Sequence, residues 1–226
     1  MKIYMASAYQ NDPVMRERVK QLFSSSSNTT QDAAEHREGR GAISMDHSAN
    51  PALIAKSYFR GGFIANFNRQ TYFGLADQQS RMLRELRLLE QIQASALPGP
   101  KPVAVGISRT ALCYSGKLVT EFILDSETLA QKIRRNHANI EHWQLAGAAI
   151  KAFHKKQIFH PDLNATNILF NEKDHCYLID FDKGCEKKGD RWKQKTLERL
   201  HRSIQKIDPR ALAKHWSILL DAYRKA

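Results

Sequence analysis

The chain is short of cysteine, of long apolar runs and of acid. Its three cysteines, Cys113, Cys176 and Cys185, are odd in number and far apart, which fits neither a disulfide framework nor a zinc site and leaves them as small packing residues. No stretch approaches the ~18 consecutive apolar residues of a membrane-spanning helix. The N-terminus lacks the short apolar core of a signal peptide, so a cytosolic chain is expected. Nine histidines include no H-E-x-x-H pair, and no zinc-type site is expected. No internal repeat is present. Asp and Glu total 23 against 35 Lys and Arg, a net charge of +12 that calls for an anionic partner. Nucleic acid, an acidic membrane surface and a phosphorylated substrate satisfy that equally, because net charge governs association and not chemistry.

What is present suits a folded protein. The 226 residues suffice for one large domain or two small lobes with a buried core. Asp12-Pro13 is a helix start, acid as cap and proline in the first helical position, for a short helix over 14–23. The run 24–30 is too polar to pack and reads as a loop. Gly39-Arg40-Gly41 is a Gly-x-Gly turn with Ser44 where a third glycine would stand; it either cradles phosphate through close backbone approach or is a plain turn. Residues 52–56 form a short apolar strand ending in Lys56, which shares a face with Ile54. Lys56 then points to a binding cleft or snorkels to water.

Residues 60–74 are glycine-flanked and aromatic-rich, to pack on the first half or to touch an amphiphilic surface. The spacing of Met82, Leu86, Leu89 and Ile92 predicts a helix over 79–93. Glu85 lies on that apolar side, where a carboxylate is costly unless paired. Its partner is Lys56, or Arg81 in an exposed pair on the same helix. Leu97-Pro98-Gly99-Pro100 stops the helix ahead of strands at 103–107, 111–114 and 118–123, and the polar Asp125-Ser126-Glu127 is where a hinge should fall. Trp143, Ala146, Ile150 and Phe153 mark a long helix ending in cations at His154-Lys155-Lys156.

The chemistry concentrates in His-Pro-Asp-Leu-Asn-Ala-Thr-Asn, residues 160–167, followed one hairpin later by Ile179-Asp180-Phe181-Asp182. Strands at 168–170 and 177–181 return Asp180 to Asn167. An amide and a carboxylate together are hard oxygen donors that suit Mg2+, which keeps several waters and shares its shell with phosphates. Asp162 is left to accept a proton, and His160 is a structural residue of the loop rather than the base. Residues 183–206 carry nine Lys or Arg against three Asp or Glu, with Leu197, Leu200, Ile204 and Ile207 as an apolar stripe, so the segment reads as a docked helix with a basic face.

This H-x-D-x-x-x-x-N plus D-F-x arrangement resembles the protein-kinase-like phosphotransferases. Together with Gly39-Arg40-Gly41, Tyr58-Phe59-Arg60-Gly61-Gly62, Arg84-Glu85-Leu86-Arg87-Leu88-Leu89 and Gly189-Asp190-Arg191-Trp192-Lys193 it resembles, over 39–206, the 3-deoxy-D-manno-octulosonic acid (Kdo) kinases of Gram-negative bacteria. The resemblance implies an α+β, bilobal protein-kinase-like fold. A small N-lobe of antiparallel sheet plus one helix would lie in 1–120, with an N-terminal extension, and a mainly helical catalytic C-lobe with basic terminal helices in 121–226. It implies ATP-dependent phosphorylation of the Kdo sugar on a lipid A precursor at the cytoplasmic face of the inner membrane, by a peripheral protein. Gly39, Gly41, Lys56 and Glu85 would serve ATP, Asn167 and Asp180 Mg2+, and Asp162 the acceptor hydroxyl. Arg60, Lys187, Lys188, Arg191 and Lys193 would meet lipid A phosphates or anionic headgroups.

Departures from the wider protein-kinase pattern point the same way. Pro161 stands in place of the usual arginine, Asn164 in place of a lysine, Asp182 in place of the glycine of D-F-G, and no A-P-E segment follows, so a protein substrate is not expected. A small-molecule phosphotransferase of the aminoglycoside or choline kinase type shares the same core and is the alternative. A nucleic-acid-binding module would leave Asp162, Asn167 and Asp180 idle, and no nucleic acid partner is expected.

Overall fold

Alternation of side chains along short strands and apolar stripes on helices set up two units, Met1–Glu90 with Lys101–Phe122, and Gln91–Pro100 with Ile123–Ala226. The computed structural model describes residues 1–24, 43–58, 72–73, 80–110 and 113–226.

The first unit contains β1 (Lys2–Met5), α1 (Pro13–Ser24), β2 (Ile43–Asp46), β3 (Leu53–Ser57), β4 (Tyr72–Phe73), most of α2 (Arg81–Ala94), β5 (Pro102–Thr110) and β6 (Cys113–Glu121). Its antiparallel sheet runs β1-β5-β6-β3-β2, with β4 also on β6. Helix α1 starts at the predicted cap, Asp12 Oδ1 accepting from the Met15 amide at 2.8 Å. Met15, Val19, Leu22 and Phe23 of α1 close over Leu53, Ala55, Val103 and Val119 of the sheet. Along β3 burial alternates from 53 to 56: Leu53 and Ala55 are buried, whereas Ile54 and Lys56 are half-buried on the other face.

One strand was not expected, and two expected strands are one. Strand β1, unassigned in the sequence reading, pairs with β5 from Lys2↔Ile107 to Met5↔Ala104. The strands expected at 111–114 and 118–123 are one strand, β6, paired along β5 from Thr110↔Cys113 to Pro102↔Thr120. Gly116 looks like a break, but a Cβ there would sit 2.4 Å from the Gly106 carbonyl oxygen. The glycine permits close approach of two backbones inside a continuous ladder.

The second unit contains β7 (Ser126–Thr128), α3 (Leu129–Arg134), α4 (Ile140–Lys155), β8 (Ile158–Phe159), β9 (Ile168–Asn171), β10 (Cys176–Leu178), β11 (Cys185–Glu186), α5 (Arg191–Ile207) and α6 (Pro209–Lys225). The segment expected as a polar hinge includes β7, which adds to the β10-β9 hairpin. Capping boxes fix two helix starts, Thr128 with Gln131 and Asn139 with His142. Residues 209–225, inside the stretch expected to carry basic terminal helices but with no helix bounds set for them, are α6, capped by Asp208, which accepts from the Arg210 and Ala211 amides. Helix α6 packs on α4 at Gly147, where a Cβ would meet the Leu219 carbonyl oxygen at 2.3 Å. The core gathers Trp143, Ile150, Phe153, Phe170, Phe181, Leu200 and Ile204. Cys176 is buried, which pushes its thiol up to about 12. Cys185 is exposed at the edge of a two-stranded ribbon, contrary to its expected packing role. No helix of the described residues is long and apolar enough to cross a membrane.

Candidate functional site

The loop between β8 and β9 is held by its own polar side chains. His160 is 2% exposed and lies on the Phe181 ring, centroids 4.7 Å apart. Its Nε2 donates to the Ile179 carbonyl at 2.8 Å, which leaves Nδ1 to accept the Asp162 amide at 3.2 Å. The imidazole is therefore a staple from the loop to the residue before Asp180. Asn167, buried, donates from Nδ2 to the Asp162 carbonyl at 2.9 Å, and Asn164 donates to the same oxygen at 3.0 Å. A 3-10 turn, Ala165–Asn167, is capped by Asn164, whose Oδ1 accepts the Thr166 amide. Ser203 of α5 accepts the Ala165 amide at 3.1 Å.

These bonds fix the backbone of Asp162 while its side chain remains 49% exposed. One oxygen accepts from the Arg199 guanidinium of α5.

Asp180 is reached through the β9–β10 hairpin. The Asn167 carbonyl accepts the Ile179 amide at 3.0 Å, so Asn167 and the residue preceding Asp180 are direct backbone neighbours. Asp180 is half-buried and adopts φ +65, an uncommon conformation that aspartate tolerates better than most side chains. It is fixed on both sides, by Ile179 as described and by Phe181, fully buried and stacked on Phe153 at 5.3 Å.

In the first unit, Glu85 is 4% exposed, which corrects the alternative of an exposed pair with Arg81. It accepts a hydrogen bond from the Tyr58 hydroxyl. The Tyr58 ring in turn has Lys56 Nζ at 5.4 Å and Arg81 Cζ at 5.6 Å from its centroid. Tyr58 was missed in the sequence reading, although a period of two puts it on the face of Lys56. Gly39, Gly41 and Arg60 lie outside the described residues.

The four basic side chains proposed for the substrate fall around the start of α5. Lys187, Lys188 and Arg191 are exposed. Lys187 Nζ lies 4.3 Å from the Phe159 ring centroid, and its carbonyl accepts Trp192 Nε1 at 2.9 Å. Lys193 bonds Asp190 at 2.6 Å, and that contact holds the Asp190 carboxyl below the usual range.

Comparison with known proteins decides the assignment. The family model "Lipopolysaccharide kinase (Kdo/WaaP) family" matches residues 25–223. The chain belongs to the Kdo/WaaP kinase family.

A 3-deoxy-D-manno-octulosonic acid kinase of Haemophilus influenzae (strain PittEE) is 35% identical over 179 residues, 75% of this chain and 74% of that protein. Proteins of the same name from Xylella fastidiosa (strain M23) and Mannheimia succiniciproducens are 35% and 34% identical, over 75% and 77% of this chain and 68% and 75% of theirs. The crystal structure of WbdD aligns with a TM-score of 0.48 at 18% identity, covering 77% of this chain and 40% of that one, too slight a likeness to weigh.

In this Kdo/WaaP-family chain the donor set can be tested against a divalent cation. With Nδ2 of Asn167 engaged, the amide oxygen is the atom left for a ligand, and with the Asp180 carboxylate it makes a hard, oxygen-only set. No group of three His, Cys, Asp or Glu that could hold a metal occurs among the described residues. The set fits an ion that takes few protein ligands and completes its shell with water and phosphate, which is the habit of Mg2+. Arg199 and Ser203, which reach the loop from α5, were missed in sequence: Arg199 is 37 residues from Asp162, and nothing in the spacing of a basic helix selects which cation meets the carboxylate.

Proposed function

We propose that this chain is an ATP-dependent kinase that phosphorylates a hydroxyl of the Kdo sugar on a lipid A precursor in lipopolysaccharide inner-core biosynthesis. The observation that carries the reading is Asp162 in a chain of this family. Its carboxylate is half-exposed on a backbone clamped by His160, Asn164 and Asn167, as a group that must meet an acceptor hydroxyl requires.

Asp162 aligns that hydroxyl and takes its proton. Asn167 and Asp180 hold Mg2+, which when bound would neutralise charge on the ATP phosphates. Lys56 serves the phosphates and Glu85 orients Lys56, supported by the burial of Glu85 and by Tyr58 beside both. Gly39 and Gly41 serve the phosphates through the backbone. The first unit corresponds to the nucleotide-binding lobe and the second to the catalytic lobe of a bilobal protein-kinase-like fold, supported by the antiparallel sheet of the one and the helices of the other. Catalysis rests on positioning and charge neutralisation.

The site of action is the cytoplasmic face of the bacterial inner membrane, where the protein binds peripherally. The exposed Lys187, Lys188 and Arg191 support this, since each cation near an anionic surface contributes about 1 kcal/mol. The reading is tested with purified protein, labelled ATP, Mg2+ and Kdo-bearing lipid A precursor beside free sugar, aminoglycoside and peptide controls. Label on the Kdo precursor is the expected result. Label on an aminoglycoside or peptide in preference to it refutes the reading.

A further inference from the structure

The ion pair between Asp162 and Arg199 has no structural task that its surroundings require. Both side chains are 49% exposed, and an exposed pair contributes little to stability. Helix α5 is already docked without it, through buried Trp192, Leu197, Leu200 and Ile204 and through the Ser203 bond to the Ala165 amide. The helix therefore presents the Arg199 guanidinium at the proposed proton acceptor from a well-anchored base.

A guanidinium carries five N–H donors in a planar fork that matches a carboxylate. Arg199 spends one nitrogen, Nη2, on one Asp162 oxygen. The Arg199 side chain is itself 49% exposed, beside the half-exposed carboxylate that the acceptor must approach. Lys195, Arg202 and Lys206 are exposed at helical spacing around Arg199 and extend the positive potential along α5.

The acceptor in the reading above is a sugar acid, so it brings a carboxylate on the same ring system as the hydroxyl to be phosphorylated. We propose that Arg199 is a specificity-determining residue that binds this carboxylate, seating the hydroxyl at Asp162. Its bond to Asp162 without acceptor is the same guanidinium–carboxylate chemistry, shared or exchanged when the sugar acid arrives. The inference rests on the proposed function and assigns the acceptor contact to a residue outside the H-x-D-x-x-x-x-N and D-F-x motifs.

The test compares wild type, Arg199→Gln and Arg199→Lys on three acceptors: the Kdo-bearing lipid A precursor, its carboxyl methyl ester, and the precursor stripped of its lipid A phosphates. For wild type, esterification raises the acceptor KM on the order of tenfold or more, the scale of a hydrogen bond to a charged group. Arg199→Gln shows the same rise with the acid and little further change with the ester, at an unchanged KM for ATP. Arg199→Lys falls between, because it keeps the charge and loses the fork.

Equal losses on acid and ester, or a fall in kcat with both acceptor KM values unmoved, overturn the inference and leave a positioning role. A loss that disappears with the stripped precursor also overturns it, transferring the contact to a lipid phosphate. Wild type inactive on all three acceptors refutes the proposed function itself, and the inference falls with it.

Discussion

Acidification should loosen the packing of α4, α5 and α6 through one histidine. His154 of α4 is 3% exposed, with Nδ1 2.9 Å from the Tyr223 hydroxyl of α6 and Nε2 3.2 Å from Thr196 Oγ1 of α5. Thr196 gives its own proton to the Lys193 carbonyl at 2.7 Å, so its oxygen accepts from Nε2 and the ring is neutral with Nδ1 accepting from Tyr223. Burial foremost, then the charges of Lys193, Lys151 and His160, lower its pKa from 6.5 to about 4. At 1.36 kcal/mol for each pKa unit, keeping this ring neutral is linked to about 3 kcal/mol. Because the folded pKa is depressed, the unfolded chain takes the proton first. The contribution is intact above about pH 6.5 and is lost as the pH falls from there toward 4, with a limiting slope of about 1.4 kcal/mol per pH unit.

Urea unfolding of wild type and His154→Leu between about pH 7 and 5 reads this directly. The gap between the two should narrow at close to that slope, while the variant keeps only the pH dependence of its other groups. Stability curves that run parallel from about pH 6.5 to 5, or a His154 imidazole seen by NMR to protonate near 6.5, would refute the reasoning.

Asp162→Asn should lower turnover on the order of a hundredfold or more with thermal unfolding nearly unchanged, since the carboxylate is half-exposed and the loop is held through its backbone; turnover at the wild-type rate in a phosphate-transfer assay removes the assignment. Gly147→Ala should destabilise the second unit by about 1–3 kcal/mol despite the better helix propensity of alanine, because the new methyl group meets backbone of α6. Urea unfolding that shows no loss for that variant would mean that α4 and α6 do not pack as closely as described.

Several elements were legible because their causes are local. Asp12-Pro13 starts α1, and the apolar positions of α2 and of α4 are spaced for one face, each within about one helical turn. The loop 160–167 was legible for a related reason: the His160 ring accepts the Asp162 amide, and Asn164 and Asn167 both donate to the Asp162 carbonyl, all inside that stretch. The single strand β6 was read as two, at 111–114 and 118–123; Gly116 lies between them, where its missing side chain admits the carbonyl of Gly106 from the neighbouring strand. The Glu85 reading found the correct face of the helix but not Tyr58, because a buried carboxylate announces that it needs partners without saying which.

The order of residues alone therefore determined the 160–167 loop and the hairpin that returns Asp180 toward Asn167, the start of α1 and the basic excess after residue 183, all of which follow from spacing and charge over a few residues. Folding decided which cation reaches Asp162, how α5 is pinned beneath the loop, that the chain's first residues complete a sheet, and that 209–225 close the helical unit. Those contacts join positions tens of residues apart, and they are selected by packing and by the path of the backbone, neither of which leaves a periodic trace in the sequence.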